Sequence, residues 1–298
     1  MIFRNITLLL LLFYTFSGFS QNVPRINQYM HNLQVFNPAA FGMGEADLNA
    51  SVLYRMQLSP SLEGAPRYLN SWIDYRLKQK RMALGGNINY QKYGATQAKE
   101  ILLNYSYAIP ITRKLKFSGG LRAGLSNTSV NTGELRAWDQ NDPLVNSINY
   151  SSTYAKIGFG FHLSSTRFYA GFSSPDFVNG NKNFSVSDKS TFSKATYVAY
   201  AGGNIALSDA YKLSPSVITY LASDHTSVMD FSLLLEGSKY FWVGANATTQ
   251  KQIGALVGAY LGPRLRVGYA YQFSKASDIG KLNTHEINLL YTLDNISK

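Results

Sequence analysis

The stretch FHLSS, residues 161–165, sets His162 and Ser164 two positions apart. In a strand that spacing puts both side chains on one face, as an outer-membrane lipid esterase needs if an imidazole is to activate a serine hydroxyl. Such a site also needs an amide or acid to orient the ring and a donor for the oxyanion, all on the lipid-facing side. His162 instead aligns with Lys156, Gly158 and Gly160, the polar side of its run, which argues against hydrolysis.

Other chemistry fares no better. His31, His162, His225 and His285 fall on separate elements, and no two stand at a ligand spacing such as i, i+4, so no metal site is expected. The run Asp139-Gln140-Asn141-Asp142-Pro143 offers oxygens suited to Ca²⁺. It lacks the Gly and the distal Glu of an EF-hand loop, however, and Asp-Pro and Asn clusters are turn formers. SGGLRAG (118–124) and KIGFGF (156–161) have no helix after them and are not phosphate loops. Glycine within a strand permits bending or the close approach of another backbone. With no cysteine there is no thiol catalysis, thiolate metal site or disulfide, and no cofactor is expected.

The elements that carry these residues are strands. Leu48, Ala50, Val52, Tyr54 and Met56 share one face, against Asn49, Ser51, Arg55 and Gln57, with Leu53 the exception. Leu69, Ser71, Ile73, Tyr75 and Leu77 oppose Asn70, Trp72, Asp74 and Arg76. The same alternation runs through 101–109, 115–125, 253–261 and 265–273. Counted from Ala46 to Leu293, such runs predict an all-β fold, a transmembrane antiparallel β-barrel of about fourteen strands of about ten residues. A soluble sandwich would have strands nearer five or six residues. Mean hydropathy of −0.13 fits a barrel with a wet inner face, and the 21 tyrosines suit interfacial girdles.

The ends of the chain and its connections complete the layout. Arg4, the apolar run Ile6–Phe16 and Gly18-Phe19-Ser20 read as a signal peptide over residues 1–20, too short an apolar run for a membrane anchor. Residues 21–45 then precede a barrel over 46–298. Asn37-Pro38 disfavours continued helix or strand in that leading segment. It is expected to start in the periplasm and fold against the periplasmic mouth or into the lumen, burying Tyr29, Met30 and Phe36, and the strand glycines would make room for it. The short connections KQKR, PITRK, STR, SDAYK, GSK and GPR alternate with mostly longer ones, notably 127–152 and 174–194, with 248–251 a short exception. Short periplasmic turns and long outer loops are the barrel rule.

Charge follows the same parse. Lys and Arg number 28 against 17 Asp and Glu, a net +11 that falls to +10 if Arg4 leaves with a leader. Export argues against nucleic acid as the partner. Every short turn carries a cation, giving a basic periplasmic rim that includes Lys78, Lys80, Arg81, Arg113, Lys114, Lys239 and Arg264. Two uses are open: contact with anionic lipid head groups or docking of an acidic periplasmic partner. At the lumen or mouth stand Arg55, Gln57, Glu100, Arg122, Tyr260 and Arg266. Glu100 is expected within about one pair of Arg122 across a hairpin, and Tyr260 opposite Arg266 in cation–aromatic contact. Loops 127–152 and 174–194 are candidates for contacting a secreted partner.

Gln21, Pro24, Gln28, Tyr29, Met30, Asn32, Asn37, Pro38 and Ala39, with Gly42 following, resemble the N-terminal signature of the PorP/SprF family of type IX secretion outer-membrane proteins. The resemblance continues in LYRMQ (53–57), GAP (64–66), FYAGFSSP (168–175), VGYAYQF (267–273) and HEINLLY (285–291). Leu58 and Gln272 stand where the family pattern often has an aromatic and an acid, which leaves the branch of the family open. The resemblance implies a non-enzymatic protein in a Bacteroidota-type outer membrane. Its implied partners are a secreted surface protein, held through a C-terminal signal domain, and/or periplasmic secretion-system proteins. Gln28, Tyr29, Met30, Asn32, Asn37 and Pro38 then become candidates for partner binding or plugging. The fold alone would also permit a passive porin or small-solute transporter.

Overall fold

A computed structural model describes residues 25–44, 46–57, 64–77, 81–131, 150–179, 195–222, 227–237, 240–274 and 283–294. The strands are β1 (Leu48–Gln57), β2 (Arg67–Leu77), β3 (Met82–Tyr93), β4 (Thr96–Pro110), β5 (Leu115–Val130), β6 (Tyr150–Ser165), β7 (Phe168–Asn179) and β8 (Thr196–Gly203). They continue as β9 (Ile205–Ala206), β10 (Tyr211–Ala222), β11 (Ser227–Gly237), β12 (Phe241–Thr248), β13 (Gln252–Leu261), β14 (Leu265–Ser274) and β15 (Thr284–Leu293). Strands β8 and β9 both pair with β10 and form one crossing interrupted at Asn204. Each crossing is antiparallel to its neighbours, and β1 pairs with both β2 and β15, which closes a fourteen-stranded barrel. The expected leader, the Asp139–Pro143 run and the centres of both long loops lie outside the described residues.

The alternation sorts inside from outside as period-two chemistry requires. Ile73, Leu103, Leu121 and Ile253 are half or more exposed on the outer wall, while Asn70, Asp74, Asn104 and Asn288 are buried facing in. A sheet with this outer face has no partner layer but lipid, and closure removes the unpaired edges a bilayer cannot tolerate. One local irregularity has a visible cause. Strand β6 shifts register against β7 between Ile157 and Phe159, opposite Pro175, which has no N–H to give the ladder.

The six short connections fall where the alternation put them, all at the end of the barrel where β1 begins and β15 ends. By the short-turn rule that end is periplasmic. At the other end, Gly94-Ala95 joins β3 to β4 as a two-residue turn, with Gly94 at a φ of 56°. The outer end therefore has short connections before β4 and β11 as well as the one before β13. Strands β5, β6 and β7 also reach further into the expected long loops, to Val130, from Tyr150 and to Asn179.

Residues 25–44 lie inside the barrel. They form a 3-10 turn at Tyr29–His31, one α-helical turn at Leu33–Phe36 and a second 3-10 turn at Pro38–Ala40. Pro38 opens the last of these at a position where its missing N–H costs nothing, and Asn37 caps it by accepting the Ala39 N–H at 2.8 Å.

Candidate functional site: the plugged lumen

A non-repetitive chain in a barrel cannot satisfy its own backbone, so the wall must supply partners. It does so with short polar side chains on the inward face. The carboxylate of Glu286 accepts the N–H groups of Asn27 and Gln28, each at 2.8 Å. Arg122 donates to the carbonyls of Gln34 and Val35 at 2.6 and 2.8 Å and to Asn104 Oδ1 at 2.7 Å. Ser173 reaches the Phe36 carbonyl, Ser106 the Phe41 carbonyl, and Asp74 accepts the Gly42 N–H through both oxygens.

The amides of the opening segment are structural ties. Asn32 Oδ1 accepts from Ser51 at 2.9 Å and from the Trp72 indole at 3.0 Å, while its Nδ2 donates to the Gln28 carbonyl. Asn37 Nδ2 donates to the Phe161 carbonyl and to the Tyr200 hydroxyl. That hydroxyl also meets His162 Nδ1 at 2.6 Å. His162 thus faces the lumen, buried, within the network that holds Asn37. Its nearest polar contact is a tyrosine tied to the plug, an arrangement for packing rather than for activating Ser164.

Apolar packing fills what the hydrogen bonds leave. Ile26, Tyr29, Val35 and Phe36 of the plug cluster with Leu53, Trp72, Tyr200, Tyr220 and Leu290 of the wall, and Met30 packs beside them. Leu53, the exception to alternation in β1, is fully buried because it points at the plug. Each fully buried side chain of this size is worth about 1.5–3 kcal/mol, so the segment is held by more than polar ties. The space comes from glycines. A Cβ on Gly120 would stand 2.3 Å from the Ala39 nitrogen, and one on Gly160 would stand 2.0 Å from Asn37 Oδ1.

The direction of the plug differs from the expectation that it starts in the periplasm. Arg25 pairs with Asp230 at 2.6 Å and donates to Gln250, which lies in the outer connection before β13. Gly42 and Gly44 meet Asp74 and Arg76 near the periplasmic end of β2. The segment therefore runs the length of the lumen, from the outer end at Arg25 to the periplasmic end at Gly44. A β-strand must follow it, and β1 starts at the periplasmic rim, but nothing in that constraint fixes where the other end of the segment lies.

The remaining predicted residues separate into groups. Register sets Arg122 opposite Asn104 and Glu100 opposite Ser126, so these two charges are not cross-strand neighbours as expected. Arg122 serves the plug, and Glu100 pairs with Lys156 at 2.5 Å beside Asn89 and Ser126. The two charges miss each other because the hairpin turns one residue later than expected, with Pro110 opposite Lys116 and unbroken pairing from there to Thr96 opposite Val130. Tyr260 does oppose Arg266, whose guanidinium carbon lies 5.1 Å from the ring centroid. Arg55 opposes Glu286 and Gln57 opposes Thr284 in the outer half of β1. Arg81, Arg113, Lys114 and Arg264 lie at the short-turn end, whereas Lys78, Lys80 and Lys239 lie outside the described residues. Sequence reasoning missed Glu286, Asp74, Ser173 and Tyr200. Inward polar residues on a strand look alike until the plug shows which of them it uses.

Residues 18–291 match the family described as type IX secretion system membrane protein PorP/SprF. The chain belongs to the PorP/SprF family. No curated protein matches it. Among solved structures, the PorP/SprF chain is similar to the CymD monoaromatic hydrocarbon channel at 12% identity and a TM-score of 0.57, over 93% of this chain and 95% of that one. It is also similar to a TodX deltaS2S3 mutant monoaromatic hydrocarbon channel at 9% identity and a TM-score of 0.50, over 85% and 91%. At such identities the likeness concerns the fold. Together with the family, it supports an outer-membrane component of type IX secretion.

Proposed function

We propose that this PorP/SprF protein is a non-enzymatic outer-membrane anchor in a Bacteroidota-type cell. It holds a secreted or gliding surface protein, through that protein's C-terminal signal domain, and/or couples to periplasmic ring components. The observation that carries this reading is the filled lumen. Residues 25–44 span the bore with backbone ties to Glu286, Arg122, Ser173, Ser106 and Asp74. A bore so occupied is poorly suited to passive flow, which leaves the two ends of the barrel as the working surfaces.

Purified protein in planar bilayers tests the reading. Silence, together with crosslinked capture of secretion-system proteins from native membranes, supports the anchor. Steady high conductance with no such capture favours the second reading, a small-solute channel, for which the fold shared with CymD is the supporting observation.

A further inference from the structure

The periplasmic end of the plug does not fill the mouth completely. Between Phe41 and Met43 of the plug and the inward faces of β2 to β5 a hollow of about 250 Å³ remains. Its floor is apolar, built by Phe41, Met43, Ala83 and Ala108. Its rim carries Arg76, Arg81 and Lys116, and among the described residues no carboxylate lines it.

The backbone sets where these cations stand at the mouth of the hollow. Arg81 has a φ of 54°, left-handed backbone unusual for a side-chain-bearing residue, and its carbonyl accepts the Ala108 N–H at 2.8 Å. The turn is thereby pinned to β4 with Arg81 at the edge of the hollow. Lys116 opposes Pro110 and shares the inward face with Ser118, whose hydroxyl donates to Met43 Sδ at 3.2 Å. Arg76 is already committed to the Gly44 carbonyl at 2.7 Å and to Asp47 at 3.8 Å, so it steadies the plug exit and leaves Arg81 and Lys116 as the outward charges.

We propose that this hollow is a socket for an acidic peptide segment of a periplasmic partner, with one bulky apolar side chain seated on Phe41 and Met43 and carboxylates meeting Arg81 and Lys116. The size supports a side-chain anchor, being below the roughly 300–1,000 Å³ of pockets that enclose whole small ligands. A buried anchor in a well-packed pocket, with a polar rim around it, is the usual form of an energetic hot spot. The inward-facing walls disfavour a lipid, since its head group would have to leave the leaflet and enter the bore. Arg113, Lys114 and Arg264 at the same end add attraction at longer range. The proposal rests on the anchor reading and names the chemistry of one of its partners.

The test uses the full-length protein in detergent and fluorescent peptides rich in Asp and Glu that carry a single Phe or, as control, a Ser in its place. The Phe peptide should bind saturably and about tenfold more tightly than the Ser peptide. R81E/K116E and the cavity-filling A108L should each weaken it at least about tenfold, while R113E/K114E, on the next turn, should change it less than about threefold. Equal losses in all three variants would reduce the effect to general rim charge and overturn the socket. So would equal binding of both peptides, or stronger competition by anionic phospholipid vesicles than by unlabelled peptide. Correct assembly of each variant is read from its resistance to unfolding in SDS. The anchor reading fails separately, if the wild-type protein captures no secretion-system protein from native membranes. If it captures them and R81E/K116E captures them equally, only the socket falls.

Discussion

The carboxylate of Glu286 accepts the backbone N–H of Gln28 at 2.8 Å, which joins the last strand of the barrel to the segment that precedes the first. Its other oxygen takes the Asn27 N–H, and Arg55 stands opposite on β1. Replacing Glu286 by Ala would strand two buried N–H groups and leave Arg55 without its facing charge. The expected loss is about 2–5 kcal/mol, the scale for two buried N–H groups left without an acceptor. Denaturant unfolding followed by tryptophan fluorescence measures it, and a loss below about 1 kcal/mol would show that this tie contributes little.

Neighbouring glycines should behave in opposite ways. Gly120 faces in and Gly119 faces out, where an added Cβ meets nothing within 4 Å. Gly120→Ala drives a methyl into the Ala39 backbone and should cost about 1–3 kcal/mol by overpacking, while raising single-channel conductance as the plug shifts. Gly119→Ala should leave both unchanged. Equal behaviour of the two would mean that the plug is not seated against β5.

Arg122→Lys probes the fork geometry. The guanidinium reaches Gln34, Val35 and Asn104 together, and an ammonium, a point charge on a flexible stem, cannot reproduce that spread. A destabilisation of about 1.5–3 kcal/mol is expected, with loss of protease protection across residues 25–44 in the folded barrel. Unchanged protection would remove Arg122 from the set of plug anchors.

The barrel was legible because its cause is repetitive. Lipid outside and polar groups inside impose a period of two on every crossing, and Leu103, Leu121 and Ile253 report it without any partner being known. The plug was legible only in outline. Asn37-Pro38 signalled a break and the resemblance singled out Gln28 to Pro38, but the direction through the bore depends on contacts such as Arg25 with Asp230, separated by 205 positions. Leu53 and Trp72 were the informative irregularities: large apolar side chains on an otherwise polar face require something apolar inside the bore. Glu100 and Arg122 show the limit of such reading, since complementary charge suggested a pair that strand register does not allow.

The tie at Glu286 also bears on how the molecule is built. Strands β1 and β15 are the pair that completes the circle, and both hold the interior segment, through Ser51 and Glu286. Stoppering and sealing are therefore expected to be one event, with the hairpins wrapping a segment already in position rather than forming an empty tube to be corked later. Protection of residues 25–44 should then appear at the same rate as pairing across that last seam.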